Sequence, residues 1–224
     1  MSQAATSTTY DTSSMGVVHS MYRREFRLAG DLVRGVGIGD TERAAVVADH
    51  LEMINRHLHH HHTAEDELVW PKLLERVPAD IAPLVHTMES QHAVVDDIQE
   101  QITPLLARWR ESAAEVDRQR LADLHDRLHA ALVEHLDLEE AEMLPVVART
   151  LSWDEWHELS VRGRASTPKD EQLITIGGFA YDADPRAFAA MMSDAPPPVR
   201  WAIPRLGRRA YRRYAMKVYG TPTP

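Results

Sequence analysis

The chain contains no cysteine. That absence excludes disulfides, thiolate metal sites and a cysteine nucleophile, and it leaves the redox compartment open. No stretch approaches the roughly 18 apolar residues that a membrane span requires. The opening residues, MSQAATSTTYDTSS, have neither a basic start nor an apolar run. They do not resemble a signal peptide, and residues 1–14 are expected to be disordered. Positive charge is also in short supply: the net charge is −9 at pH 7, which argues against nucleic-acid binding by the whole protein. A cytoplasmic protein with no membrane segment is the expectation.

What is present is histidine, 13 of them in 224 residues, on a background of helical periodicity. Residues 15–150 carry apolar positions at helix spacing and no strand signal. GVGIGD at 35–40 breaks the first helix, and Asp40 or Thr41 is a plausible cap for a second that runs to about Val77. VPADIAP makes the next turn. A third helix spans about Ile81–Trp109 and a fourth about Asp117–Arg149. Long amphipathic helices with short connections predict an all-α fold, an up-down-up-down four-helix bundle. Residues 151–224 form a C-terminal extension: a short helix near Trp153, a loop over PKDEQLITIGGFAYDADP, another short helix, and a basic amphipathic helix.

The stretch NRHLHHHHTAEDELVWP holds five of the histidines. An internal repeat selects among them. His61 is followed by Glu65 at i+4 and Pro71 at i+10; His135 is followed by Glu139 and Pro145 at the same spacings. His19 precedes His61 by 42 residues and His92 precedes His135 by 43. The acid at i+5 repeats as well, in Asp66 and Glu140. Residues i and i+4 share a helix face, so each HxxxE aims an imidazole and a carboxylate in one direction. Counted from the turns, the four histidines and two glutamates fall within about one helical turn of the same depth. Six such groups exceed the needs of one zinc and suit two metals bridged by carboxylates. Imidazole and carboxylate with open positions favour iron, with manganese or zinc as alternatives. His57, one turn before His61, is the spare candidate. His59, His60 and His62 are expected on a polar or half-buried surface, and His50, His86, His125, His129 and His157 on surfaces or helix ends. Pro71 and Pro145 should bend their helices beyond the metal level.

These motifs, His19 in VVHSMYRREF, HHTAEDELVWPKL, His92 in ESQHAVVDD and EHLDLEEAEMLP, resemble those of the hemerythrin-like (HHE cation-binding) family over roughly residues 15–150. The resemblance implies a non-haem di-iron centre with an oxo or hydroxo bridge. Glu65 and Glu139 would bridge the irons, His19 and His61 would ligate one, and His92 and His135 the other. Oxygen-carrying members have a fifth histidine one turn after the position of His92. Here that position is Asp96, which weakens the carrier reading and makes Asp96 a candidate terminal ligand or base. Tyr22, one turn after His19, could hydrogen-bond a bound species or donate an electron. By the departure at Asp96 the chain looks closer to the bacterial, especially actinobacterial, members with long C-terminal extensions.

The resulting expectation is a di-iron protein that binds or reduces small oxidants: O2, H2O2 or nitric oxide. The alternative is an iron or oxygen sensor, or a metal buffer, acting through a partner. The segment from Val199 to Tyr219 carries seven basic residues and no acid. Its aromatic side (Trp201, Tyr211, Tyr214, Tyr219) is expected to pack on the acidic bundle. A protein partner or a second subunit, and more remotely an anionic membrane surface, are the other occupants considered.

Overall fold

The computed structural model describes residues 10–224. Those residues are helical, with no strand among them. Helix α1 spans Ser13–Arg34, α2 Thr41–Leu68, α3 Trp70–Arg76, α4 Ala82–Ser112 and α5 Glu115–Leu138. A π-helical turn at Glu139–Met143 leads into α6, Leu144–Thr150. The extension comprises α7 (Trp153–Ser166), α8 (Gln172–Asp182), α9 (Pro185–Met191) and α10 (Pro197–Tyr219). No described helix is long and apolar enough to cross a membrane.

Each long helix buries a stripe at 3–4 spacing, which is the source of its amphipathic pairing. In α2 the stripe is Leu51, Ile54, Leu58, His62 and Glu65; in α4 it is Met88, His92, Val95, Gln99 and Ile102. Asp40 caps α2, its side chain accepting from the Arg43 backbone N–H. Gly39 N–H donates to the Ala113 carbonyl, so the α1–α2 and α4–α5 connections meet at one end of the bundle. Helices α1 and α4 run toward that end, and α2 and α5 run away from it. One apolar cluster fills this half, from Tyr22 and Leu58 to Trp109. A second, around Trp70, Leu73, Met88 and Val147, fills the other. His19, His61, His62, Glu65, His92, His135 and Glu139 form a polar layer between them.

Several expectations change. Of residues 1–14, residues 1–9 lie outside the described residues. Tyr10 is packed against Trp156, with ring centroids 6.0 Å apart, and Ser13 and Ser14 already belong to α1. The second helix does not bend at Pro71 but stops at Leu68 and restarts at Trp70 with Pro71 in its first turn, where the missing N–H costs nothing. Pro145 likewise sits in the first turn of α6, and the adjustment before it is the π turn. The expected loop at 168–185 contains helix α8. Its Gly177 explains both the weak sequence signal and the helix: a Cβ there would lie 2.1 Å from the Gly207 carbonyl oxygen of α10. Glycine lowers intrinsic helix propensity, but here it lets two helix backbones touch.

Helix α10 docks on the rest of the chain. Arg43 donates to the carbonyls of Lys217 (2.8 Å) and Val218. Tyr211, Tyr214 and Tyr219 face inward, whereas Trp201 is 65% exposed with Arg205 stacked on it, and so departs from the expected packed row.

Candidate metal centre

The layer between the two apolar clusters contains two groups of potential ligand atoms. His19, His61, Glu65 and Glu139 form one, and His62, His92 and His135 the other; within each, the ligand atoms lie within 4.8 Å of one another. Helices α1, α2, α4 and α5 with its π turn all contribute. Glu65 joins the groups: Oε1 is 3.5 Å from His61 Nε2, and Oε2 is 3.5 Å from His92 Nε2. Glu139 does the same with one atom, its Oε2 lying 3.3 Å from His19 Nε2 and 3.6 Å from His135 Nε2.

Three of the imidazoles are oriented from behind. His19 Nδ1–H donates to Glu140 Oε1 at 2.8 Å, and Arg23 holds that carboxylate at 2.6 Å. His92 Nδ1–H donates to Asp66 Oδ1 at 2.7 Å, and His135 Nδ1–H to Gln91 Oε1 at 3.3 Å. A proton fixed on Nδ1 leaves the Nε2 lone pair facing the site, the usual arrangement behind a metal-binding imidazole. The repeated acids at i+5, Asp66 and Glu140, thus serve the histidine of a neighbouring helix rather than their own.

Burial sets the protonation states. His61, His62 and His135 are held well below the ordinary imidazole value by desolvation and by neighbouring imidazoles, His135 down to about 2. They are neutral, the form a metal requires. Desolvation, joined for Glu65 by the charge of Glu139, pushes both carboxyls up. Glu140 differs: desolvation is outweighed by the hydrogen bonds from His19 and Arg23, which bring it down to about 2.

The residues present fit a metal. His19 Nε2, His61 Nε2, both oxygens of Glu65 and Glu139 Oε2 are buried without hydrogen-bond partners. Unpaired buried polar atoms are costly, and these converge on one layer, so a cation is the natural complement. The family comparison agrees, for the Hemerythrin HHE cation binding domain model matches residues 14–147. The chain belongs to the hemerythrin HHE cation-binding family. No curated protein and no solved structure shows a significant match to it. Membership in this family implies cation binding, typically of iron, and the His/Glu groups of the fold are suited to it.

Within this hemerythrin fold, other candidates sit elsewhere. His57 Nε2 is 2.9 Å from Glu171 Oε2 of the extension, so it is not drawn to the ligand groups. Asp96 lies at the rim beside His59 at 3.4 Å, because α4 turns His92, Val95 and Gln99 inward and leaves Asp96 outside. Tyr22 packs its ring 5.4 Å from His61, but its hydroxyl donates to the His57 carbonyl at 3.0 Å and is not free for a bound species. His62, expected near the surface, is buried and stacked on His92 at 4.0 Å and 8°. The missed signal was its register: it follows Leu58 by four and precedes Glu65 by three, in line with the buried stripe. Two imidazoles cannot lie face to face and also point in-plane at one ion, so ligation by both requires the His62 ring to turn. His50 and His125 are buried as well, contrary to the expectation of surface positions; α10 covers His50.

Proposed function

We propose that the two groups hold two iron ions bridged by Glu65 and Glu139, and that the pair binds or reduces a small oxidant, O2, H2O2 or nitric oxide. The observation that carries this reading is the position of the carboxylates, each within 3.3–3.6 Å of one imidazole from either group. Two negative groups shared between two sets of imidazoles balance two cations better than one. Ligands beyond the four of a structural zinc, drawn from nitrogen and oxygen alone, suit iron. Bound iron would supply one-electron steps between the ferrous and ferric states.

The chain's own residues prepare that chemistry. His19, His92 and His135 present Nε2 because Glu140, Asp66 and Gln91 hold Nδ1–H. Glu65 and Glu139 would take up the cations as carboxylates, with His19 and His61 on one side and His92 and His135 on the other. His62, once turned, would give the His92–His135 side a third imidazole.

The test begins with iron content of the full chain purified without oxygen. About two irons per chain are expected, with clear loss in His61→Ala and His92→Ala. Absorbance is then followed on separate addition of O2, H2O2 and nitric oxide. Far less than two irons, or full iron in His61→Ala, would overturn the reading. His62→Ala should lose part of the iron; full retention would confine His62 to shielding His92.

A sensor reading has one observation in its favour. Glu171 of the extension binds His57 and Arg56 (2.5 Å), one turn from His61. If occupancy is passed to the extension, limited proteolysis should cut α8–α10 faster in the metal-free chain, with negligible turnover in the loaded one.

A further inference from the structure

A cavity of about 560 Å3 lies between the bundle and the extension. Tyr22 and His61 belong to its lining, so it adjoins the candidate metal centre. One wall is Met15, Val18 and Met21 of α1; the facing wall is Trp156 and Leu159 of α7 with Phe179 of α8. Met191 and Met192 close the side after α9. The exposed rim carries Asp11, Arg164 and Asp194. The bundle supplies only half of this enclosure, and helices α7–α9 supply the rest.

The size and the lining leave room for a ligand much larger than the small oxidants. A water occupies about 30 Å3 of liquid, and O2 or H2O2 is of similar scale. Pockets for organic ligands span about 300–1,000 Å3 and are lined mainly by apolar and aromatic side chains with a few polar groups at one place. Here apolar surface predominates, from methionine, tryptophan and phenylalanine, with polar side chains such as His60, Ser160, Gln172 and Thr175 among them and His61 in the lining. Methionine adapts its shape to its neighbour, which suits a class of ligands rather than a single rigid one.

We propose that this cavity binds a neutral organic molecule with an apolar body of roughly ten to fifteen non-hydrogen atoms and a hydroxyl or hydroperoxide end, and that the polar end faces His61. The apolar body lies between α1 and α7–α8, excluded from water. The orientation toward His61 rests on the di-iron reading; binding in the cavity does not.

The probes are 1-decanol and 2-phenyl-2-propanol, titrated calorimetrically into the full chain, metal-free and iron-loaded, with glycerol as the control. Saturable binding at one site is expected for both alcohols in both forms, and none for glycerol. Ser160 of α7 and Ala190 of α9 also line the cavity, and Ala190→Trp and Ser160→Trp add bulk to it from two different helices. Each should weaken binding at least about tenfold while iron content and circular dichroism stay unchanged. Saturation with 1-decanol should also shift the visible absorption of the iron-loaded chain. No saturable binding, or unchanged affinity in whichever filled variants fold, overturns the proposal; an unmoved absorption overturns the orientation. A chain that binds 1-decanol but holds no iron would sink the di-iron reading alone. A chain that holds iron but binds neither alcohol would sink this one alone.

Discussion

The molecule buries two clusters built from histidine and glutamate, and they differ in how their atoms are partnered. Around Glu25 every group is answered. Arg24 (2.7 Å), Tyr211 (3.0 Å) and Tyr219 donate to the carboxylate. His50 accepts from Tyr214 at 2.9 Å and donates to the Tyr219 oxygen at 2.8 Å. Arg24 also reaches Asp182 and the Gly178 carbonyl of α8. At the metal layer the same residue types converge, and His19 Nε2, His61 Nε2, both Glu65 oxygens and Glu139 Oε2 have no partner. The first cluster clamps α8 and α10 to the bundle, and the second is the candidate receptor for cations. Orphaned atoms alone do not make a receptor: both nitrogens of His125 are buried without partners, but no carboxylate converges on them. Convergence of orphans of complementary chemistry is the distinguishing feature.

The sharpest way to break this contrast is to compare one substitution from each cluster in the metal-free protein. Arg24→Ala leaves the buried Glu25 carboxylate without its counter-charge, and loss of about 3–5 kcal/mol is expected by chemical denaturation. Glu65→Gln should leave stability level or raise it while abolishing iron uptake. Its amide has no proton to lose, whereas burial keeps Glu65 protonated in the native chain at a cost that grows as pH rises from the ordinary 4.5 toward the raised folded value. Equal losses in the two variants would erase the distinction. Gly177→Ala tests the clamp at its joint. Backbone meets backbone there, so overpacking of about 2–3 kcal/mol is expected, read as a lower melting temperature with iron content retained. Tyr219→Phe removes one hydroxyl from the clamp and should cost about 1–2 kcal/mol without affecting iron.

A pH-dependent effect concerns His125, which burial and the nearby His50 hold down to about 3. An imidazole lowered from 6.5 stays neutral in the fold while the unfolded chain takes up a proton. Its contribution is intact above pH 6.5 and is lost as pH falls toward 3, at up to ~1.4 kcal/mol per pH unit. His125→Leu should flatten that part of the acid limb. An unchanged slope in denaturation series between pH 7 and 5 would show that His125 does not contribute it.

Periodicity made the helices of the bundle legible, and the repeat singled out His19, His61, Glu65, His92, His135 and Glu139 by spacing alone. Repetition also marked Asp66 and Glu140, although not which histidine each would serve, since that depends on the neighbouring helix. The remainder depended on contacts between distant segments. His57 is paired by Glu171, 114 residues away, and His50 by two tyrosines of α10. Helix α8 was hidden because the glycines that permit its close crossing are weak helix formers on their own. The cavity could not be read from either half of the chain, because each half forms only one of its walls.

The π-helical turn at Glu139–Met143 has a geometric consequence beyond the placement of Glu139. Each α-helical residue advances the chain by about 100° around the axis, and a π turn accommodates one residue more than an α turn. Removing a single residue there, such as Ala141, would restore regular pitch and rotate everything downstream by about that angle. Leu144 and Val147 would leave their seats, and α7 with Trp156 would swing away from α2 and from His61. One surplus residue therefore sets the azimuth at which the final third of the chain meets the bundle.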